Sequence, residues 1–330
     1  MRIAVDAMGS DTYPGPDVAG SVLAARESGD TILLVGDEAR IRPELAGHDT
    51  SGLKLEIVHA AQAVTMADKP SEVGASKPES SMLIGMKLVA DGQADAFVTA
   101  GNTGAALAIA TLYTLRRIQN VKRPALTAIL PLGEHRIILL DVGANADAKP
   151  EWMAQFALMG KIYAQHALGL ENPRVALLSN GEEEGKGTQL IRDSAELLRA
   201  LPLNYVGNVE PKEVLEGRAE VVVSDGFAGN IFIKTAEASM DALFHLIRDE
   251  IKTNVLYTLG GALARPAFRH IYHRLDPFEI GGAPLLGVNG VVIIGHGRSN
   301  ARAIKNAIRQ ARMAVSGGTI EAIRSGLSTA

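Results

Sequence analysis

Five turns in this 330-residue chain combine glycine with residues that bind anions, move protons or cap helices, and each follows an aliphatic run. In Thr99-Ala100-Gly101-Asn102-Thr103-Gly104, either Asn102 or Thr103 can cap a following helix while backbone N–H groups face outward, as anion-binding helix starts do. In Asp225-Gly226-Phe227-Ala228-Gly229-Asn230, Gly226 and Gly229 let backbone approach a ligand and Asn230 caps a long helix. A buried turn with Phe227 in the core would carry the same pattern. Gly295-His296-Gly297-Arg298-Ser299-Asn300 brings an acid–base group and a fixed cation to a helix start. In the segment from Asn180 to Thr188, Lys186 offers either an anion contact or a cation for a departing thiolate, against a solvated loop with Lys186 salt-bridged. In Asp141-Val142-Gly143-Ala144-Asn145, Asn145 organises the turn or lines a site. The chemistry common to these turns is the holding of small anionic reactants beside a proton-transfer group.

Two familiar phosphate motifs are imitated and missed. Asn300 stands where the last glycine of G-x-G-x-x-G belongs, which argues against a dinucleotide. Gly181 to Gly185 is one residue short for a P-loop, Gly187 follows Lys186 where Ser or Thr is needed, and Glu182, Glu183 and Glu184 would repel a triphosphate. Those carboxylates have no histidine at ligand spacing, so neither a metal nor a cofactor is expected. The cysteine count is zero, which removes thiolate metal sites, disulfides and any cysteine acyl-enzyme. With 33 Lys plus Arg against 37 Asp plus Glu, the formal charge of −4 gives no broad footprint for nucleic acid.

The elements that must position these turns alternate between short strands and helices, the pattern of βα units on a largely parallel sheet. Strands are expected at 3–7, 32–35, 55–58, 96–99, 125–130, 137–141, 174–178, 221–224 and 291–294. Helices are expected at about 17–28, 80–91, 103–118, 151–169, 188–200, 230–251 and 300–316. The connection of Pro131, Leu132, Gly133, Glu134 and His135 is too short for a crossover, so 125–130 and 137–141 form an antiparallel hairpin and the sheet is mixed. The uncharged run 96–115 contains the turn 101–104 and reads as strand plus helix, not as a membrane span. The acid at Asp6 does not suit a signal peptide, and a cytoplasmic protein is expected. Segment 65–81 is a polar connection or a functional lid. Segment 252–275 mixes Leu256, Leu259 and Leu263 with Lys252, Arg265, Arg269 and Arg274 and contains no acid, which suits an anionic surface or a dimer interface. The organisation expected is a single domain over 1–330 with a protruding amphipathic helical element at about 245–277.

The chain resembles the bacterial phosphate acyltransferase family of phospholipid synthesis, often called PlsX. The resemblance begins at Met1-Arg2-Ile3-Ala4-Val5-Asp6-Ala7-Met8-Gly9 and continues through Ala100-Gly101-Asn102-Thr103-Gly104-Ala105 and Leu140-Asp141-Val142-Gly143-Ala144-Asn145. It runs on through Gly181-Glu182-Glu183-Glu184-Gly185-Lys186-Gly187, Ser224-Asp225-Gly226-Phe227-Ala228-Gly229-Asn230 and Gly281-Gly282-Ala283-Pro284-Leu285-Leu286-Gly287 to His296-Gly297. Departures from the family pattern are Ser10 for Gly, Ser179-Asn180 for Asn-Ile, Ala228 for Thr, Arg298 for a small residue, and Gly74-Ala75-Ser76 for a more basic stretch. The resemblance implies a three-layer α/β/α fold with a large mixed sheet, similar to isocitrate and isopropylmalate dehydrogenases and to phosphotransacetylases. It implies transfer of a fatty acyl group from acyl carrier protein to inorganic phosphate, giving an acyl phosphate for a glycerol-3-phosphate acyltransferase. It also implies a homodimer associated peripherally with the membrane. For that reaction His296 and Lys186 are the expected catalytic residues. Asn102, Thr103, Gly104, Asn145, Asp225, Gly226, Gly229, Asn230 and Arg298 are the expected phosphate or substrate contacts. Direct attack by phosphate fits a cysteine-free chain, with a Ser, Lys or Asp intermediate left open. A phosphotransacetylase using acyl-CoA, a hydroxyacid dehydrogenase and a noncatalytic lipid-synthesis scaffold remain as alternatives.

Overall fold

A computed structural model describes residues 1–132 and 135–328. Its strands are β1 (Arg2–Asp6), β2 (Thr31–Gly36), β3 (Leu55–His59), β4 (Ala96–Thr99), β5 (Ala125–Leu132), β6 (His135–Leu140), β7 (Arg174–Leu178), β8 (Asn204–Val209), β9 (Val221–Val223), β10 (Ala283–Leu286) and β11 (Val291–Ile294). Its helices are α1 (Gly15–Ser28), α2 (Glu38–Ala46), α3 (Pro70–Ser76), α4 (Ser81–Ala90), α5 (Thr103–Ala108), α6 (Pro150–Leu168), α7 (Gln189–Arg199), α8 (Pro211–Leu215), α9 (Gly226–Ile251), α10 (Val255–Leu275), α11 (Ala301–Ser316) and α12 (Thr319–Ser328).

The strands form one sheet in the order β3-β2-β1-β4-β11-β10-β5-β6-β9-β7-β8. Successive residues of a strand face opposite sides, and nearly all are apolar because both sides are covered. Ile3, Val5, Ile32, Leu34, Val175 and Leu177 pack with α1, α6, α7 and α11 on one side. Ala4, Leu33, Phe97, Leu126, Ala176 and Leu285 pack with α4, α5 and α8 on the other. These are the three layers expected. Seven of the helices start on side-chain caps: Asp37, Ser80, Asn102, Thr188, Asp225, Asn254 and Asn300 each accept an N–H of their own first turn.

The sheet is mixed in a way that controls the site. The first block, β3-β2-β1-β4-β11, is parallel throughout, and so is the last, β6-β9-β7-β8. Between them β10 runs antiparallel to both β11 and β5, and β5 antiparallel to β6. Three reversals leave the two parallel blocks pointing opposite ways, so their carboxyl ends lie at opposite edges of the sheet. The expected hairpin is β5–β6; Gly133 and Glu134 of its turn lie outside the described residues.

Two strands were absent from the sequence pattern. β8 carries Gly207 at φ +95° and pairs with β7 through a register shift. β10 is a four-residue strand containing Pro284. The helix expected over 103–118 stops at Ala108, where the chain widens into a turn closed by Thr114 N–H to Ile109 O at 3.0 Å. The long helix expected at 230–251 begins earlier, at Gly226. α9 ends at Ile251 and α10 turns back beside it, the rings of Phe244 and Tyr272 meeting edge-on at 5.5 Å. No described helix is long and apolar enough to cross a membrane.

Candidate active site

The carboxyl ends of β1, β4 and β11 meet around Thr99. Its hydroxyl donates to Asp6 Oδ2 at 2.8 Å and accepts the Gly101 N–H at 3.0 Å, while its carbonyl accepts the Gly295 N–H at 2.7 Å. Burial pushes the Asp6 carboxyl above its ordinary value, opposed by hydrogen bonds from Ser81, Thr99 and the Met8 N–H. Asn102 is fully engaged. Its Oδ1 accepts the Ala105 N–H at 3.0 Å, and its Nδ2 faces the carbonyls of Thr65 and Asp68, each at 3.3 Å. Asn102 therefore caps α5 and holds the 65–68 loop over the strand ends. The N–H groups of Thr103, Gly104, His296, Gly297 and Arg298 have no protein acceptor among the described residues. The buried hydroxyl of Ser299 also has none. His296 is half-exposed, with Nε2 3.7 Å from Glu237 Oε1 on α9. The Arg298 guanidinium lies over the Phe278 ring at 5.8 Å.

At the other edge, the ends of β6 and β9 form a second polar group. Buried Asp141 accepts N–H groups of Leu126, Gly143 and Ala144 on Oδ1, and both the backbone N–H and the Nδ2 of Asn145 on Oδ2. Burial raises the Asp141 carboxyl; the donors of Ala144, Asn145 and Leu126 oppose it. Asn145 also donates to Pro124 O at 2.8 Å, so both it and Asp141 organise the turn. Asp225, and not Asn230, caps α9: its Oδ1 accepts the N–H groups of Phe227 and Ala228.

The N–H of Gly226 goes to Asn145 O and that of Gly229 to Asp225 O. The first-turn amides of α9 are thus spent inside the protein, and a carboxylate already occupies the positive end of its dipole. The two glycines serve packing: a Cβ on Gly229 would sit 2.0 Å from Asp141 O, and one on Gly226 2.8 Å from Asn145 O. Asn230 donates to Val142 O at 2.7 Å. The Lys186 side chain is exposed and makes no ion pair among the described residues. Its neighbours Gly187 and Thr188, with Ser179, line the cleft.

One cleft of about 1420 Å³ joins the two polar groups. Thr103, Gly104 and His296 stand at one end, and Ser179, Thr188 and Asp225 at the other. α9 bridges them; from Asn230 to Glu237 is seven residues, about 10 Å of helix. Of the expected site residues, Thr103, Gly104 and His296 line one end of this cleft and Asp225 and Asn230 the other, while Asn102, Asn145, Gly226 and Gly229 are not part of its lining. Arg298 and Lys186 stand beside its lining and not within it. Sequence reasoning missed Asp6, Thr99 and Ser299. A buried acid at a strand end was visible at Asp6, whereas nothing in the sequence signalled that the Ser299 hydroxyl would be buried and unpaired.

A family model described as "Fatty acid synthesis protein" matches residues 1–322. The phosphate acyltransferase of Trichlorobacter lovleyi is 46% identical over 328 residues, covering 99% of this chain and 95% of the relative. That of Heliobacterium modesticaldum is 48% identical over 325 residues, covering 98% and 97%. The chain belongs to the phosphate acyltransferase family. Members of this family are acyl-transferring enzymes by name, in keeping with a cleft that has polar ends and an apolar middle. Among solved structures, a phosphotransacetylase from Streptococcus pyogenes superposes with a TM-score of 0.62 at 17% identity, covering 97% of this chain and 94% of that one. A 4-hydroxythreonine-4-phosphate dehydrogenase from Klebsiella pneumoniae superposes at 0.52 with 14% identity, covering 95% and 99%. These likenesses show that this chain shares its fold with that phosphotransacetylase and with that dehydrogenase.

Proposed function

We propose that this chain transfers a fatty acyl group from acyl carrier protein to inorganic phosphate. The observation that carries the proposal is the free amide cluster at the β4 and β11 ends, with Ser299 buried and unpartnered beside it, opening onto the same cleft as an apolar floor. The N–H groups of Thr103, Gly104 and residues 296–298 hold phosphate, with Arg298 offsetting its charge. A phosphate oxygen attacks the thioester carbonyl carbon, forming a C–O bond, and N–H donors stabilise the tetrahedral oxyanion. Collapse breaks the C–S bond. The proton lost by hydrogen phosphate reaches the departing thiolate through His296, an undemanding transfer because a free thiol has a pKa of roughly 8.5. Lys186, at the other end of the cleft from the departing thiolate, contacts an anionic group of the donor protein.

The 1–330 chain acts as one domain and as a homodimer, working in the cytoplasm at the membrane surface through 252–275. It passes its acyl phosphate to a glycerol-3-phosphate acyltransferase. The single eleven-stranded sheet supports one domain, and the exposed leucines of α10 support the surface contact. Hydroxylamine trapping of acyl phosphate tests the activity: hydroxamate forms only with both phosphate and acyl carrier protein thioester. Equal hydroxamate without phosphate overturns the proposal. The phosphotransacetylase fold favours one second reading, an acyl-CoA donor, which faster turnover on acyl-CoA than on the carrier thioester would establish.

A further inference from the structure

Thr99 is the last residue of β4 and is buried. Its strand lies between β1 and β11, where Val98 pairs with Val5 and Thr99 with Ile294. Past that register β4 and β11 both leave the sheet. One continues into 100–104 and the other into 295–300, two stretches far apart in the sequence. Between them they carry the free amides of Thr103, Gly104, His296, Gly297 and Arg298. Thr99 is bonded to both. Its hydroxyl accepts the Gly101 N–H at 3.0 Å and its carbonyl accepts the Gly295 N–H at 2.7 Å. The hydroxyl proton goes to Asp6 Oδ2 at 2.8 Å, and Asp6 Oδ1 is held in turn by the Met8 N–H at 3.1 Å. The hydroxyl is closely wrapped by glycine backbone: a Cβ on Gly9 would stand 3.0 Å from it, and one on Gly101 3.1 Å. A β-branched side chain is already stiff at χ1, so its oxygen has one place to be.

We propose that Thr99 is a positioning residue for phosphate, fixing the 100–104 turn against the 295–298 turn while Asp6 fixes the direction of its hydroxyl. The proposal rests on the reading of these amides as a phosphate cradle and adds the residue that sets the cradle's width. An anion gripped from two sides needs both sets of donors at one spacing, and preorganised donors lose their effect when displaced. Thr99 does not line the cleft. It acts only through the turns, so its effect falls on phosphate and not on the carrier thioester.

Thr99→Val keeps the shape of the side chain but leaves the Gly101 N–H and Asp6 Oδ2 without their partner. Thr99→Ser restores both hydrogen bonds. In Thr99→Val the KM for phosphate rises about tenfold, while the KM for the carrier thioester changes by less than about twofold. Thr99→Ser returns the phosphate KM to within about threefold of wild type. Inorganic phosphate alone raises the thermal midpoint of the wild type and of Thr99→Ser, but not that of Thr99→Val. If the single valine variant does not fold, the double variant Asp6→Asn, Thr99→Val, in which no carboxylate is stranded, carries the same test. A wild-type phosphate KM and phosphate-induced thermal shift in a folded valine variant overturn the assignment, and so does a serine variant as impaired as the valine one. If phosphate stabilises the wild type and not Thr99→Val, yet no phosphate-dependent hydroxamate forms, the positioning role stands and the acyltransferase reading fails.

Discussion

Ser10 donates its hydroxyl to Asp17 Oδ2 at 2.5 Å, and Asp17 is wholly buried, with Oδ1 unpartnered. Asp17 lies in the first turn of α1, and Ser10 in the loop whose Asp11 N–H donates to Gly297 O at 2.7 Å. The pair thereby braces the turn that carries His296.

Burial pushes the Asp17 carboxyl up to about 7, with the Ser10 hydrogen bond opposing and the nearby Asp6 charge adding to the rise. The sign follows from linkage. The folded state binds this proton more tightly than the unfolded chain, where the group has its ordinary value of 3.8. Its contribution to stability is complete below that value and is lost as pH rises toward and through 7. Between pH 5 and pH 8 the wild type loses on the order of 3 kcal/mol relative to Asp17→Asn, whose side chain does not titrate. Thermal melts of both proteins at the two pH values check this. A difference in Tm that stays constant with pH contradicts it.

Asn102→Ala removes two functions at once. The cap of α5 is worth about 1 kcal/mol, and loss of the contacts to Thr65 and Asp68 frees the loop over the strand ends. The expected result is a small drop in Tm, faster proteolysis within 62–77, and a higher KM for phosphate. Asn102→Asp is the informative companion. It keeps the cap through its carboxylate oxygen, while losing the donor that holds the loop. Proteolysis in that variant should match Asn102→Ala although its Tm stays near wild type.

Periodicity and turn chemistry made much of this fold legible in the sequence. The nine strands expected from aliphatic runs are all present; most are buried on both faces and read as apolar segments, whereas the edge strand β3 is only half-buried and carries Glu56. The antiparallel β5–β6 pair was visible from the shortness of its connection. The reversal of the second parallel block was not, since it depends on β10, whose four residues hold a proline and follow two glycines. The five polar turns consequently suggested one crevice, whereas the structure joins two groups through a groove under α9. Residue types also failed to distinguish a phosphate cradle from tight packing at Gly226 and Gly229. That distinction rests on which acceptor each N–H finds, and those acceptors lie more than eighty residues away in Asn145 and four residues away in Asp225.

Glycine substitutions separate the packing role from a ligand role. A Cβ at Gly229 would sit 2.0 Å from the Asp141 carbonyl, a backbone atom that has little room to shift. Gly229→Ala should lower stability by about 3 kcal/mol, at the upper end for overpacking. Gly185, in the loop bearing Lys186, has nothing within 4 Å of the same position. Gly185→Ala should leave stability unchanged or raise it by about 0.5 kcal/mol through the unfolded chain. Urea titrations read both changes. If Gly229→Ala kept wild-type stability and lost only phosphate affinity, the glycine would be a ligand contact after all.

The exposed tip of α10 offers the last test. Leu259 and Leu263 are 60% and 86% exposed, with Arg265 and Arg269 following on the same helix. Burying two leucine side chains in a lipid interface is worth about 3 kcal/mol or more, and the arginines add attraction to anionic headgroups. The double variant Leu259→Asp, Leu263→Asp should therefore lose nearly all flotation with anionic liposomes while its acyl transfer to phosphate in solution persists. Sedimentation of the same variant distinguishes the competing use of this surface. A protein that falls from dimer to monomer and still floats would assign the leucines to the subunit interface. An intact dimer that no longer floats would assign them to lipid, because the charge introduced at each position opposes burial in hydrocarbon but leaves the sheet and the cleft under α9 untouched.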